Sequence, residues 1–170
     1  YLAPIVEFLE SAGVRVHQDW TDNSPGFKFN EWEMKGVPLR LEVGPRDVEN
    51  GNMVVARRDT GDKSFLSKDE AVAQIPDLLD EIQTGLFQQA LIFQQENTHK
   101  VSTYDELKKV IKEGGFVRCG WDGTDETEAR VKKDIKATIR CIPMSENPEG
   151  LTCVYSGKPA KHEVIYAKAY

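Results

Sequence analysis

An α/β unit with at least three strands, followed by a smaller α+β unit, is the fold class that this sequence predicts. Three observations carry it. Segments with apolar residues three and four apart alternate with short runs rich in β-branched and aromatic residues. Near residue 98 a long helical pattern gives way to short, closely spaced elements, which sets the predicted domains at 1–98 and 99–170. The 170 residues, 39% of them hydrophobic and 9% aromatic, suffice for one ordinary core or two small ones.

The elements follow in order. Leu2, Ile5, Val6 and Leu9 share one helical face, and Gly13 ends that helix. "VRVHQD" (14–19) alternates apolar and polar residues and predicts a half-buried strand. Ser24 and Pro25 form an N-cap and first helical residue for a short helix carrying "KFNEWEMK", which Gly36 stops. "PLRLEV" predicts a strand, "GPRDVENGN" a turn segment and "MVVARR" a further strand, with Asn50-Gly51 favouring a hairpin between them. Ser67 caps a long helix with Asp69 and Glu70 in its first turn. Ile75, Leu78, Leu79, Ile82, Leu86, Ala90 and Phe93 continue its apolar spacing to about Asn97, with Pro76 as a point of kinking or division. Beyond it, "STYDELKKVIKEGG" and "DETEARVKKD" predict helices. "FVRCGW", "ATIRCIP" and the end of the chain predict strands, and residues 98–101 a linker.

Composition narrows the function. A net charge of −6 argues against a general nucleic-acid binder, but leaves room for a local site that reads bases. No secretory signal and no membrane-length apolar run is present. The opening "YLAPIVEFLE" reads as an element already under way, so a piece of a longer chain is expected. Three cysteines, Cys119, Cys141 and Cys153, make a poor disulfide framework and fit a reducing cytoplasm. No nucleophile–base pair, phosphate-cradling glycine loop or paired acid emerges, so no catalytic residue is assigned.

"GVRVHQDWTDNSPGFKFNEWEMKGVPLRLEVGPRD" closely resembles the anticodon-binding domain of prolyl-tRNA synthetase, in the form shared by archaea, eukaryotes and some bacteria. "ATIRCIP" and the terminal "AKAY" resemble the extra C-terminal domain that marks this form. The resemblance covers essentially the whole chain. It implies an α/β anticodon-binding domain of mixed sheet and flanking helices, whose first strand would precede residue 1. An α+β C-terminal domain follows. It implies proline tRNA as the partner, and ATP and magnesium as cofactors of a catalytic domain upstream. The full enzyme would be a cytoplasmic homodimer without membrane contact.

Proline anticodons end in two guanines. Guanine offers N1–H and N2–H₂ as donors and O6 and N7 as acceptors, so a carboxylate and an Arg or Lys are the matching pair. Unpaired anticodon bases can be splayed out to present these edges. The resemblance implies that Glu33, Arg40, Arg46, Asp47 and Lys63 read the anticodon. Phe27, Phe29 and Trp32 are candidates for base stacking. From pattern alone the charges read as a solvated face and Trp32 as packing. Arg57 and Arg58 are candidates for phosphate contact or for simple exposure. An anticodon-like module that binds protein, as an accessory subunit, is the alternative reading. A small-molecule α/β enzyme is a third, with no motif behind it.

The family's C-terminal domain often holds zinc through a C-x₄-C and a C-x₂-C pair. With "EARVKKDIKATIRCIP" setting the register, these positions fall on Asp122 and Thr127, and on Cys153 and Ser156. One thiolate remains of four, so zinc is not expected; Asp122, Thr127 and Ser156 are expected to satisfy backbone groups instead. The resemblance also implies that Tyr170 reaches toward the catalytic domain.

Overall fold

The computed structural model describes residues 1–168, which form two compact units, residues 1–89 and residue 90 onward. Tyr170, to which the resemblance assigns a role, lies outside the described residues.

The first unit contains α1 (Leu2–Ser11), α2 (Pro25–Met34), β1 (Leu39–Glu42), α3 (Pro45–Asn50), β2 (Asn52–Arg57) and β3 (Lys63–Ser67). Its three strands pair antiparallel in the order β1-β2-β3. Alternation along β2 buries Met53 and Val55 on one face, where they meet Ile5 and Leu9 of α1. Ala71 and Ile75 complete this core from α4 (Lys68–Glu96).

Three local readings of the sequence are corrected here. Residues 14–19 are not a strand. The alternation is real, since Val14 and Val16 pack on the core while Arg15 and His17 are exposed, but no strand lies beside them among the described residues. "GPRDVENGN" is a short helix, α3, rather than a turn. The Asp47 carboxylate accepts from the Gly44 N–H at 2.8 Å, and Gly51 ends the helix at φ 72°, in the left-handed region that glycine enters without a Cβ clash. The hairpin is therefore not at Asn50-Gly51. It joins β2 to β3 through residues 58–62, and Lys63 opens a strand that its polar neighbours Ser64 and Ser67 concealed.

Ser67 does cap α4: its hydroxyl accepts from the Glu70 N–H at 3.3 Å while the Glu70 carboxylate accepts from the Ser67 N–H at 2.9 Å. Pro76 leaves α4 undivided. Proline removes a helical hydrogen bond, but Ile75, Leu78 and Leu79 on either side of it are packed on the core, and tertiary packing outweighs local propensity.

The second unit contains β4 (Thr98–Lys100), α5 (Tyr104–Glu113), β5 (Phe116–Trp121), α6 (Asp125–Ile135), β6 (Ala137–Cys141) and β7 (His162–Lys168). The sheet order is β4-β5-β7-β6, with β4 and β5 parallel and the other neighbours antiparallel. Leu107 and Ile111 of α5 and Val131 of α6 cover Val117, Cys119, Val164 and Tyr166. The predicted linker at 98–101 supplies β4, an edge strand too short and polar to announce itself. The α/β-then-α+β class stands, with helices flanking each sheet.

Candidate nucleic-acid interface

Strand register sets the site. Arg40, Ala56 and Lys63 form one row across the three strands of the first unit, and Glu42, Val54 and Phe65 the next. Side chains two residues apart share a face. Arg40, Glu42, Lys63 and Phe65 therefore stand on the face opposite Leu41, Met53 and Leu66, which pack into the core.

α2 brings an aromatic and a carboxylate to this face. Arg40 lies over the Phe29 ring with its guanidinium carbon 3.9 Å from the centroid, and the Lys63 ammonium is 5.7 Å from it. The helix is fixed by its start and its flank. Ser24 accepts from the Phe27 N–H, and the Trp32 indole N–H donates to Asp19 at 2.7 Å. Lys28 donates to the Asp19 carbonyl at 3.2 Å. The Thr21 hydroxyl, then the Trp32 indole, hold Asp19 well below the usual carboxylate range.

An alternating chain of charge results. Glu33 pairs with Arg40 at 2.6 Å, Arg40 with Glu42 at 3.0 Å, and Glu42 with Lys63 at 3.0 Å. Two carboxylates and two cations thus share one face, the donor and acceptor types that a guanine edge requires. Arg40 and Glu42 are largely covered while Glu33 is half exposed. Glu42 was missed by sequence reasoning, yet its position two residues after Arg40 on one strand was the signal.

The predicted set is only partly assembled. Glu33, Arg40 and Lys63 converge. Arg46 and Asp47 lie on α3, and among the described residues no contact joins them to the network. Arg46 is exposed, and Asp47 serves the helix start. Of the phosphate candidates, Arg57 is held by Asp59 at 2.9 Å and Glu81 at 3.2 Å, whereas Arg58 is exposed. Trp32 is occupied by protein: the His17 ring is 4.1 Å away, and the Lys35 ammonium 4.1 Å from its centroid.

In the second unit, the four positions of the zinc pattern do come together, as a hydrogen-bonded knot. Asp122 Oδ2 accepts from the Thr127 hydroxyl at 2.9 Å and the Ser156 hydroxyl at 2.6 Å, and Oδ1 accepts from the Thr124 hydroxyl at 2.8 Å. The Ser156 N–H faces the Cys153 sulfur at 3.5 Å. The hydroxyls bond to the carboxylate itself, and the backbone partners expected from the sequence are present for two of the three residues: Asp122 Oδ1 accepts from the Thr124 N–H at 3.2 Å and Ser156 Oγ from the Lys158 N–H at 3.5 Å. Burial alone would raise the Asp122 pKa; the hydroxyls of Ser156, Thr124 and Thr127 outweigh it and bring it down to about 2. This donor set does not fit structural zinc. It has one thiol, its hydroxyls are poor ligands, and both carboxylate oxygens already accept hydrogen bonds. Among the described residues, no three His, Cys, Asp or Glu side chains converge to hold a metal ion. Nearby Cys119 is buried, which pushes its thiol up to about 12. No described helix is long and apolar enough to cross a membrane.

Two family models match the chain. The anticodon binding domain matches residues 1–78, and the C-terminal domain of prolyl-tRNA synthetase matches residues 104–170. Among curated relatives, the proline–tRNA ligase of Chloroherpeton thalassium is 52% identical over 96% of this chain and 36% of its own length. That of Roseiflexus sp. is 48% identical over 92% of this chain and 33% of its own. That of Prosthecochloris aestuarii is 49% identical over 95% and 35%. The chain thus spans about a third of the length of the curated relatives it matches. It carries the anticodon-binding domain and the C-terminal domain of prolyl-tRNA synthetase.

Proposed function

We propose that this chain is the tRNA-selecting part of a proline–tRNA ligase, and that Glu33, Arg40 and Lys63, with Arg46 and Asp47, read the two guanines of the proline anticodon. The observation that carries the reading is the Glu33–Arg40–Glu42–Lys63 network on a sheet face beside Phe29. Glu42 holds Arg40 and Lys63 in place from within the sheet. Glu33, the more exposed partner, exchanges its bond to Arg40 for the N–H donors of a guanine, while Arg40 turns to O6 or N7. Exposed ion pairs contribute little to stability, so the exchange costs little.

The whole enzyme activates proline with ATP and magnesium in its catalytic domain, then esterifies the tRNA. It works as a homodimer in the cytoplasm and has the form shared by archaea, eukaryotes and some bacteria, which the matched C-terminal domain supports. The boundary between its last two domains falls near residue 98, at the end of α4 and between the two matched segments.

The test is binding of proline tRNA and of the same tRNA with both anticodon guanines replaced. Replacement should weaken binding by about 1–3 kcal/mol for each bidentate hydrogen-bonded pair it removes. Arg40→Ala should remove the discrimination at one guanine and leave that at the other. Equal binding of both tRNAs would refute the reading and favour a module that binds protein.

A further inference from the structure

The sheet face that carries the charged network also carries one large apolar side chain that the network does not use. Phe65 stands on β3 and is 73% exposed. Its neighbours along the strand settle its direction: Leu66 packs into the core, so Phe65 points to the opposite face, the one Lys63 shares. Phe65 shares a row with Val54 and Glu42, while Lys63 shares the adjacent row with Ala56 and Arg40. Phe65 is about 7 Å along the strand from Lys63 and about 10 Å across the sheet from Glu42, by ordinary strand dimensions.

An apolar protein surface laid on Phe65 would have to cover Lys63, Glu42 and Arg40 as well, and desolvate them without new partners. A nucleotide makes no such demand. Its base offers a flat π-face to the phenyl ring, and its polar edges and phosphate remain among charged groups and water. The two guanines take the hydrogen-bonding groups of the network, which leaves the ring for a neighbour in the same loop.

From this geometry we infer that Phe65 is the stacking platform for an unpaired base flanking the two guanines. The inference rests on the anticodon reading above. Stacking is tolerant of base identity, so Phe65 contributes affinity and positioning, and the choice of guanine stays with the charged groups.

The test is a double-mutant cycle between protein and RNA. The 170-residue chain and its Phe65→Ala, Phe65→Tyr and Phe65→Leu variants are titrated with an RNA hairpin bearing the proline anticodon loop. The same hairpin is then made abasic at each of the two positions flanking the guanines in turn. Phe65→Ala should weaken binding of the intact hairpin by about 5- to 150-fold. Tyr should restore binding, and Leu, apolar but without a π-face, should not. At one flanking position, removing the base should weaken the unsubstituted chain by a similar factor and leave Phe65→Ala unchanged, because a single stacking interaction can be removed only once. Preference for guanine over its replacements should be the same in Phe65→Ala as before. Effects that multiply at both positions, or a Phe65→Ala variant that binds like the unsubstituted chain while guanine preference persists, would overturn the stacking role alone. Absence of guanine preference in the unsubstituted chain would overturn the anticodon reading and this inference with it.

Discussion

Asp47 shows how one residue can hold two roles that a substitution can separate. Its carboxylate accepts from the Gly44 N–H and so fixes the start of α3; its charge is what the anticodon reading uses. Asn keeps an oxygen for the N–H and loses the charge. Asp47→Asn should therefore melt at nearly the temperature of the unsubstituted chain and discriminate less against replaced guanines. Asp47→Ala should lose discrimination and about 1 kcal/mol of stability as well, a difference that paired thermal melts resolve. Legibility at this scale is uneven. Glu33, Arg40 and Lys63 can be named from the sequence and meet in space. Glu42 has a local signal for its pairing with Arg40, two residues before it, but none for its pairing with Lys63, 21 residues away and two strands distant. A pairing set by register across a sheet has no short-range signature.

The elements most readable in the sequence are those with their own capping chemistry. Ser24-Pro25 and Ser67 with Glu70 each mark a helix start that the structure reproduces, and the structure adds a capping box of Thr103 with Glu106 at the start of α5. Elements defined by a neighbour are less readable: residues 14–19 alternate without pairing, and β3 and β4 pair without a clear pattern. The Asp122 knot belongs to this scale, since it ties the loop after β5 to the residues around Ser156. Its pKa is lowered by folding, so the unfolded chain binds more protons below about pH 4. The knot's contribution is present above the ordinary value of 3.8 and is lost as the pH falls toward about 2. Acid unfolding of Asp122→Asn should lack that share of the loss between about pH 4 and 2, from a lower starting stability. Installing three cysteines, D122C/T127C/S156C, completes a four-thiolate set with Cys153. That variant should bind one zinc ion with tetrahedral geometry and melt lower in chelator, while the unsubstituted chain melts alike with and without it. Tight zinc binding by the unsubstituted chain would contradict the knot.

On the scale of the whole molecule, an acidic chain of net charge −6 carries the proposed reading site on a network whose charges alternate in sign. The long-range field therefore adds little attraction for RNA, and selectivity rests on short-range geometry. Raising the salt concentration should weaken binding of matched and guanine-replaced tRNA in parallel, leaving their ratio nearly constant; a ratio that collapses with salt would place the discrimination in phosphate contacts. Each of the two units has a core of its own, but the division between residues 89 and 90 lies inside α4, where the helical pattern runs on unbroken; the change of pattern near residue 98 marks the end of that helix. Within the second unit, the knot has a physiological corollary. A loop junction closed by one carboxylate and three hydroxyls is complete as soon as the chain has folded. Its upkeep asks nothing of the cell's zinc supply, so a shortage of zinc would leave this junction and the core around it intact.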